Sequence, residues 1–197
     1  MFNEIHLFSI KERVRFLKFS GIYDIFESES NLQIGIAKEE NSLLINILRL
    51  FLSKRMLPNQ VKVYHLKDQV ESVEFYIKKP FSFFRSQVGV YDEKGGYLGY
   101  FKRKLLSIGR GFYVFDTLNN QIADIRGDWK SWDFSFVVND GSEIGTVTKR
   151  WAGIGKELFT NADNYLISIK DPLIFGNDTV KLLLAAGIAI DTVFKEG

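Results

Sequence analysis

The stretch VKLLLAAGIAIDTVF, from Val180 to Phe194, constrains this chain more than any other. Wound at about 100° per residue, its apolar side chains cover the whole helical wheel, and only Lys181, Asp191 and Thr192 interrupt them. A helix apolar on every side has to be buried, in lipid or in protein. Crossing about 30 Å of hydrocarbon takes roughly 20 apolar residues. The unbroken run from Leu182 to Ile190, rising about 1.5 Å per residue, covers only about half of that. Extending the span toward the C-terminus would carry Asp191 into the membrane, at a cost of at least ~2.5 kcal/mol. The length argument therefore points to enclosure by protein. A closed antiparallel barrel of many more than about eight strands leaves an interior too wide for its own side chains to fill. A helix with Ala185, Ala186, Gly187 and Ala189 among Leu and Ile is slim enough to thread it.

The rest of the chain supplies strands for such a barrel. Arg13–Phe16 and Leu32–Ile36 alternate with period two, as do Val73, Phe75 and Ile77 against Glu74, Tyr76 and Lys78. Three similar units follow: GVYDEKGGYLGYF (89–101), FYVFDTLNNQIADI (112–125) and FSFVVNDGSEIGTV (134–147). Each has an apolar strand ending in Asp or Asn, a turn, and a second apolar strand. Their turn residues, Gly95-Gly96, Asn119-Asn120 and Asp140-Gly141, tolerate the positive φ of tight hairpins. The expected fold is mainly β, α+β by class, an antiparallel meander whose phenylalanine-rich strands supply the inward side chains around the helix. No linker interrupts residues 1–197, so a single domain is expected.

One segment changes period. In EENSLLINILRLFLSKRM (39–56), Leu44, Ile47, Leu48, Phe51 and Leu52 fall at the spacing of one helical face. This predicts a second helix near residues 39–57, distinct from the terminal one near 178–195. Its apolar arc, from Leu50 and Leu43 through Leu44 to Ile45, spans about 220°, roughly twice what an ordinary surface helix needs. Such a helix packs on two sides, dimerises, or lies in a membrane interface with Lys54 and Arg55 beside it. Packing against the barrel follows the usual preference for burial. Leu43, Leu50, Lys54 and Arg55 are the candidates for membrane or partner contact.

Composition excludes several function classes. There is no cysteine, which removes disulfides, thiolate metal sites and cysteine nucleophiles. A net charge of +2 is too small to suggest nucleic acid. The N-terminus shows no signal-peptide pattern. His6 and His65 stand in strand-like surroundings outside any nucleophile or metal motif, and Gly109-Arg110-Gly111 is half a phosphate fingerprint without its helix. We expect no enzyme, no catalytic residue and no cofactor.

The stretch IGTVTKRWAGIGKELFTNADNYLISI (Ile144 to Ile169), followed by the terminal apolar helix with Ile190-Asp191, resembles the phospholipid scramblase family. The specific part is Ile-Gly-x-Val-x-Lys-x-Trp, then Glu157-x-Phe159-Thr160, then Ala162-Asp163-Asn164 and an aromatic residue. The resemblance extends over roughly Phe81 to Glu196. It implies a tubby-like fold, about twelve antiparallel strands closed around a buried C-terminal helix, shared with plant LURP-one-related proteins. Eukaryotic scramblases carry a proline-rich region and a palmitoylated cysteine cluster, and this chain has neither. Their proposed calcium segment aligns with NADNYLISIKDP (Asn161 to Pro172). Here Leu166 stands where an EF-hand loop needs Gly and Pro172 where it needs a bidentate carboxylate, so calcium is not expected, although Asp163 and Asp171 remain as oxygen donors.

Some tubby-like domains bind phosphoinositide head groups, which directs attention to the basic clusters Lys102-Arg103-Lys104 with Arg110, and Lys149-Arg150. On a strand Lys102 and Lys104 share one face and Arg103 takes the other. Several cations near an anionic bilayer contribute about 1 kcal/mol each. The same residues would equally serve as a solvated face protecting a sheet edge. Two readings follow. One is a non-enzymatic, scramblase-like protein, cytoplasmic and peripheral to the inner face of a membrane, binding anionic phospholipid or phosphoinositide. The other is a soluble interaction or regulatory module of the same fold, with a protein partner and no lipid role. Neither involves nucleic acid.

Overall fold

The structure, a computed structural model, describes residues 2–13, 21–48, 51–52, 56–81, 87–104, 111–128, 131–149 and 164–192. Twelve strands run in sequence order: β1 (Leu7–Glu12), β2 (Ile22–Glu27), β3 (Gln33–Glu39), β4 (Asn59–Lys67), β5 (Val70–Lys79), β6 (Gln87–Asp92), β7 (Tyr97–Arg103), β8 (Phe112–Phe115), β9 (Gln121–Asp128), β10 (Asp133–Val137), β11 (Glu143–Thr148) and β12 (Asn164–Ile169). Each pairs antiparallel with its neighbour in sequence, and β1 closes the barrel on β12 with Leu7 opposite Ser168 and Lys11 opposite Asn164. A short helix, α1 (Leu43–Leu48), lies between β3 and β4, and α2 (Pro172–Thr192) follows β12. The alternation expected at Arg13–Phe16 falls almost wholly outside the described residues, whereas that at Leu32–Ile36 begins β3.

The three sequence units are the hairpins β6–β7, β8–β9 and β10–β11, and their turns form for a local reason. The strand-ending aspartate folds back to accept backbone N–H groups. Asp92 Oδ1 accepts from Lys94 N at 2.9 Å, Asp116 Oδ1 from Leu118 N and Asn120 N at 2.8 Å, and Asp140 Oδ1 from Ser142 N at 2.8 Å. Gly95 (φ 86°), Asn119 (φ 63°) and Gly141 (φ 87°) take the left-handed conformation the turns demand.

Helix α2 is the core of the barrel. Val180, Leu183, Leu184, Ala185, Ile188, Ala189 and Ile190 are fully buried, surrounded by inward residues such as Phe8, Phe75, Phe101, Phe112, Phe134, Phe136 and Tyr165. Gly187 sets how close the helix can sit to β12, because a Cβ there would approach Ile167 to 2.6 Å. By length and composition alone the stretch Pro172–Asp191 could cross a membrane, yet from Val180 onward it is enclosed by strands. The helix also begins earlier than expected, with a first turn at Pro172 and a break at Gly176 (φ 74°, ψ 160°) before the buried portion.

Two polar residues of α2 enter the core with company. Lys181 Nζ lies 3.1 Å from Glu74 Oε1 and donates to the Glu74 carbonyl at 3.4 Å. Glu74 was expected to face solvent. A β-bulge in β5, where Val73 and Phe75 pair with Tyr64 and Val63 and Glu74 is skipped, buries it instead. At the other end of α2, buried Asp191 adds its negative charge to the burial that pushes the hydroxyls of Tyr23 and Tyr165 far above their ordinary range, so both stay neutral.

The meander makes the two barrel ends unlike. The β2–β3, β4–β5, β6–β7, β8–β9 and β10–β11 connections are tight turns at one end, where α2 also enters. The remaining connections, most of them longer and one of them carrying α1, join strands at the opposite end. We call these the turn end and the loop end.

Candidate functional site

Helix α1 is the feature that the packing of the barrel leaves unexplained. It is shorter than the sequence periodicity implies, and no residue in it is buried. Leu43 is 82% exposed, Leu44 66%, Ile47 55%, and nearby Phe51 79%, so the expected packing of this apolar arc against the barrel is not what the chain adopts. Only Ile45, Asn46 and Leu48 are half-buried. Leu50, Lys54 and Arg55, named with Leu43 as contact candidates, lie outside the described residues.

The chain before α1 is tied firmly to the barrel wall. Glu40 N donates to Gln60 O at 2.8 Å, and the Asn41 side chain donates to Asn59 Oδ1 at 3.0 Å and accepts from Gln60 N at 3.3 Å. Glu40 also takes Lys62 Nζ at 2.7 Å and the Tyr64 hydroxyl at 2.8 Å. Burial pushes the Glu40 carboxyl up, but the bonds from Lys62 and Tyr64 outweigh that and hold it below its ordinary range. The Tyr64 hydroxyl, raised by burial and by its bond to Glu40, is pushed up to about 12.

Between this segment and the outer faces of β4 to β7 lies a cleft of about 500 Å³. Ser42 and Ile45 line it on the α1 side, Gln60, Lys78, Gln87, Tyr91 and Tyr97 on the barrel side. Gly89 leaves room for the Tyr91 ring to lie over β6, since a Cβ there would meet that ring at 2.9 Å. The Tyr91 and Tyr97 rings pack at 5.4 Å, and Tyr97 shares a hydrogen bond with Gln87. Lys78 stands exposed with its Nζ 5.1 Å from the Tyr76 ring centre and 4.9 Å from that of Tyr91. Among the described residues no carboxylate lies within ion-pair reach of it.

The basic residues singled out in the sequence meet different fates. Lys102 is exposed on the outer face of β7, opposite Gln87 of the cleft wall, and it too has no carboxylate partner among the described residues. Arg103, half-buried, is the last residue of β7 and points the other way. Lys104 is occupied: it is ion-paired with Asp124, which Arg126 also holds at 2.8 Å, and lies 4.7 Å from the Tyr113 ring centre. Lys149, after β11, rests 4.2 Å from the Trp132 ring centre, four strands round the barrel from β7. Arg110 and Arg150 lie outside the described residues. The Lys102-Arg103-Lys104 run is therefore not one patch, and the exposed cation in the cleft lining, Lys78, lies outside the basic clusters of the sequence.

The calcium segment is described from Asn164 onward, and residues Asn164–Ile169 form strand β12, not a coordinating loop. Asp163 lies outside the described residues, and Asp171 caps the first turn of α2, its carbonyl accepting from Ile174 N at 2.9 Å. Among the described residues no group of three or more His, Asp or Glu side chains is arranged to hold a metal.

A closed meander of twelve strands around one apolar helix is what the resemblance implied, and comparison with known families agrees with it. The Scramblase family model matches residues 23–197. This chain belongs to the Scramblase family. The match takes in α1, the cleft wall and α2 alike, so the exposed helix is part of a scramblase-family domain and not an appendage to one. No curated protein and no solved structure matches the chain.

Proposed function

We propose that this scramblase-family chain is a non-enzymatic, peripheral membrane protein that docks on anionic phospholipid with its loop end. The observation that carries this is the set of Leu43, Leu44, Ile47 and Phe51, exposed at the same barrel end as Lys78 and Lys102, which no carboxylate among the described residues pairs. The turn end carries the opposite character, with Asp92, Asp116, Asp140 and Asp171 at its turns. An apolar helical face beside basic residues suits a headgroup interface, where buried area and attraction to anionic lipid add. Under this reading the barrel interior is not a lipid path, because α2 and the inward phenylalanines fill it.

Co-sedimentation with vesicles tests the reading. The chain should bind phosphatidylserine-containing vesicles at low salt, bind less at moderate salt, and ignore neutral ones; equal recovery with both vesicle types would remove it. Leu44→Asp with Ile47→Asp should abolish binding. A headgroup-labelled liposome assay with and without calcium addresses translocation, and transfer by this chain alone would contradict the filled-barrel argument. A soluble interaction module remains as a second reading, favoured by Leu173 and Ile174, which stand exposed beside Asp171 at the turn end.

A further inference from the structure

We infer that the turn end docks on the loop end of a second copy of this chain, building open head-to-tail assemblies. The membrane reading leaves the turn end unused, and this inference does not rest on it. Among the described residues, large apolar side chains are exposed at both ends of the barrel. Leu44, Ile47 and Phe51 stand at the loop end, and Leu32, Leu118, Leu173 and Ile174 around the turn-end mouth. Apolar groups gathered in water in this way mark contact surfaces.

The turn-end set is held in place by its backbone. Pro172 is buried and Phe175 packs against the barrel core, so Leu173 and Ile174 on the same turn face outward. The break at Gly176 separates that turn from the buried part of α2, and Asp171 O closes it by accepting from Ile174 N at 2.9 Å. Leu118 stands in the β8–β9 turn, where its N–H donates to Asp116 Oδ1 at 2.8 Å. Side chains on a backbone already fixed lose little freedom on docking.

Charge selects the partner. The five tight turns hold five carboxylates, Glu29, Asp68, Glu93, Asp116 and Asp140, against one cation, Lys94, although the whole chain carries a net charge of +2. Hydrogen bonds from Asn120 and Ser142 keep the Asp116 and Asp140 carboxyls below their ordinary range. The loop end offers Lys78 and Lys102, which no carboxylate among the described residues pairs. Two loop ends, or two turn ends, would oppose like charges. A loop end on a turn end joins apolar to apolar and cation to carboxylate. Such a contact is heterologous, and because the two faces lie at opposite ends, each docked pair leaves one face of either kind open. A copy seated on α1 also covers the face a membrane would use, so assembly competes with vesicle binding.

Sedimentation velocity without lipid or detergent tests this. The average mass should rise with protein concentration and fall at moderate salt. Leu44→Asp with Ile47→Asp breaks the loop end, and Leu173→Asp with Ile174→Asp breaks the turn end. Each pair should weaken self-association about tenfold or more. Mixed in equal amounts, the two variants should form dimers and nothing larger, because each keeps the end the other lacks. Should either pair lose its cooperative thermal transition, the exposed charges replace them: Lys78→Glu and Glu29→Lys should associate more strongly together than either does alone. A monomer at every concentration, undiminished association in either folded variant, or a mixture no more associated than its folded components would each overturn the second copy as occupant. None of these outcomes touches vesicle binding by the unmodified chain, so the membrane reading would stand. Lost vesicle binding with self-association intact would do the reverse.

Discussion

The chain contains two apolar helices with opposite fates. α2 is buried from Val180 to Asp191, wrapped by twelve strands, while α1 has no buried residue at all. Their hydrophobicity is not the difference; their place in the topology is. α2 follows the last strand and folds back through a space that the meander must fill, whereas α1 sits in a connection between two adjacent strands and can only lie against the outside. Apolar groups inside are explained by the barrel itself. Apolar groups outside, grouped at one end and beside a polar cleft, call for a partner of their own.

The same substitution in each helix should therefore have unlike consequences. Leu184→Asp places a charge in the closed core and should cost more than about 4 kcal/mol, leaving no cooperative thermal transition. Leu44→Asp should change stability by no more than about 0.5 kcal/mol, yet weaken vesicle binding about tenfold, as expected for one lost apolar contact. If Leu44→Asp unfolds the protein as Leu184→Asp does, α1 is structural and the contrast between the helices fails.

A next smaller effect tests how α2 is held. Lys181→Met leaves Glu74 buried without its cation and should cost about 3–5 kcal/mol by denaturant unfolding. Adding Glu74→Leu should restore most of it, since an apolar pair suits that end of the barrel; no recovery in the double variant would mean the bulge depends on the ion pair.

Lys104→Met addresses the loop end. It leaves Asp124 with Arg126 alone and should lower stability by about 1–3 kcal/mol while changing vesicle affinity less than Lys78→Gln does. The reverse ranking would return the lipid contact to the Lys102-Arg103-Lys104 run.

The smallest effect is a pH dependence of the α1 tether. Because the Glu40 carboxyl is lower in the folded chain than its ordinary 4.5, its contribution is complete above that value and fades as pH falls through the folded one. The Tyr64 hydroxyl, raised to about 12, contributes fully below its ordinary 10.0 and loses that only as pH rises through about 12. Hydrogen-exchange protection factors at residues 43–48, taken against the intrinsic amide rate at each pH, should thus be constant between neutral pH and about 10 and fall in mild acid before those of α2 do. A parallel fall in both helices would show that α1 has no separate tether.

The identity of the elements was largely local information. Period-two alternation, Asp-to-turn chemistry at Asp92, Asp116 and Asp140, and an all-round apolar segment at Val180–Phe194 each act within a few residues, so a reader of the chain alone arrives at a barrel with a helix inside. Tertiary structure decided the rest. The bulge that buries Glu74 beside Lys181, the pairing that removes Lys104 from the surface, and the cleft assembled from residues 42–45, 60, 78 and 87–97 depend on which strands become neighbours. Periodicity states that a side chain needs burial or a partner; only the closed sheet, by setting distances between residues far apart in sequence, determines whether it finds one.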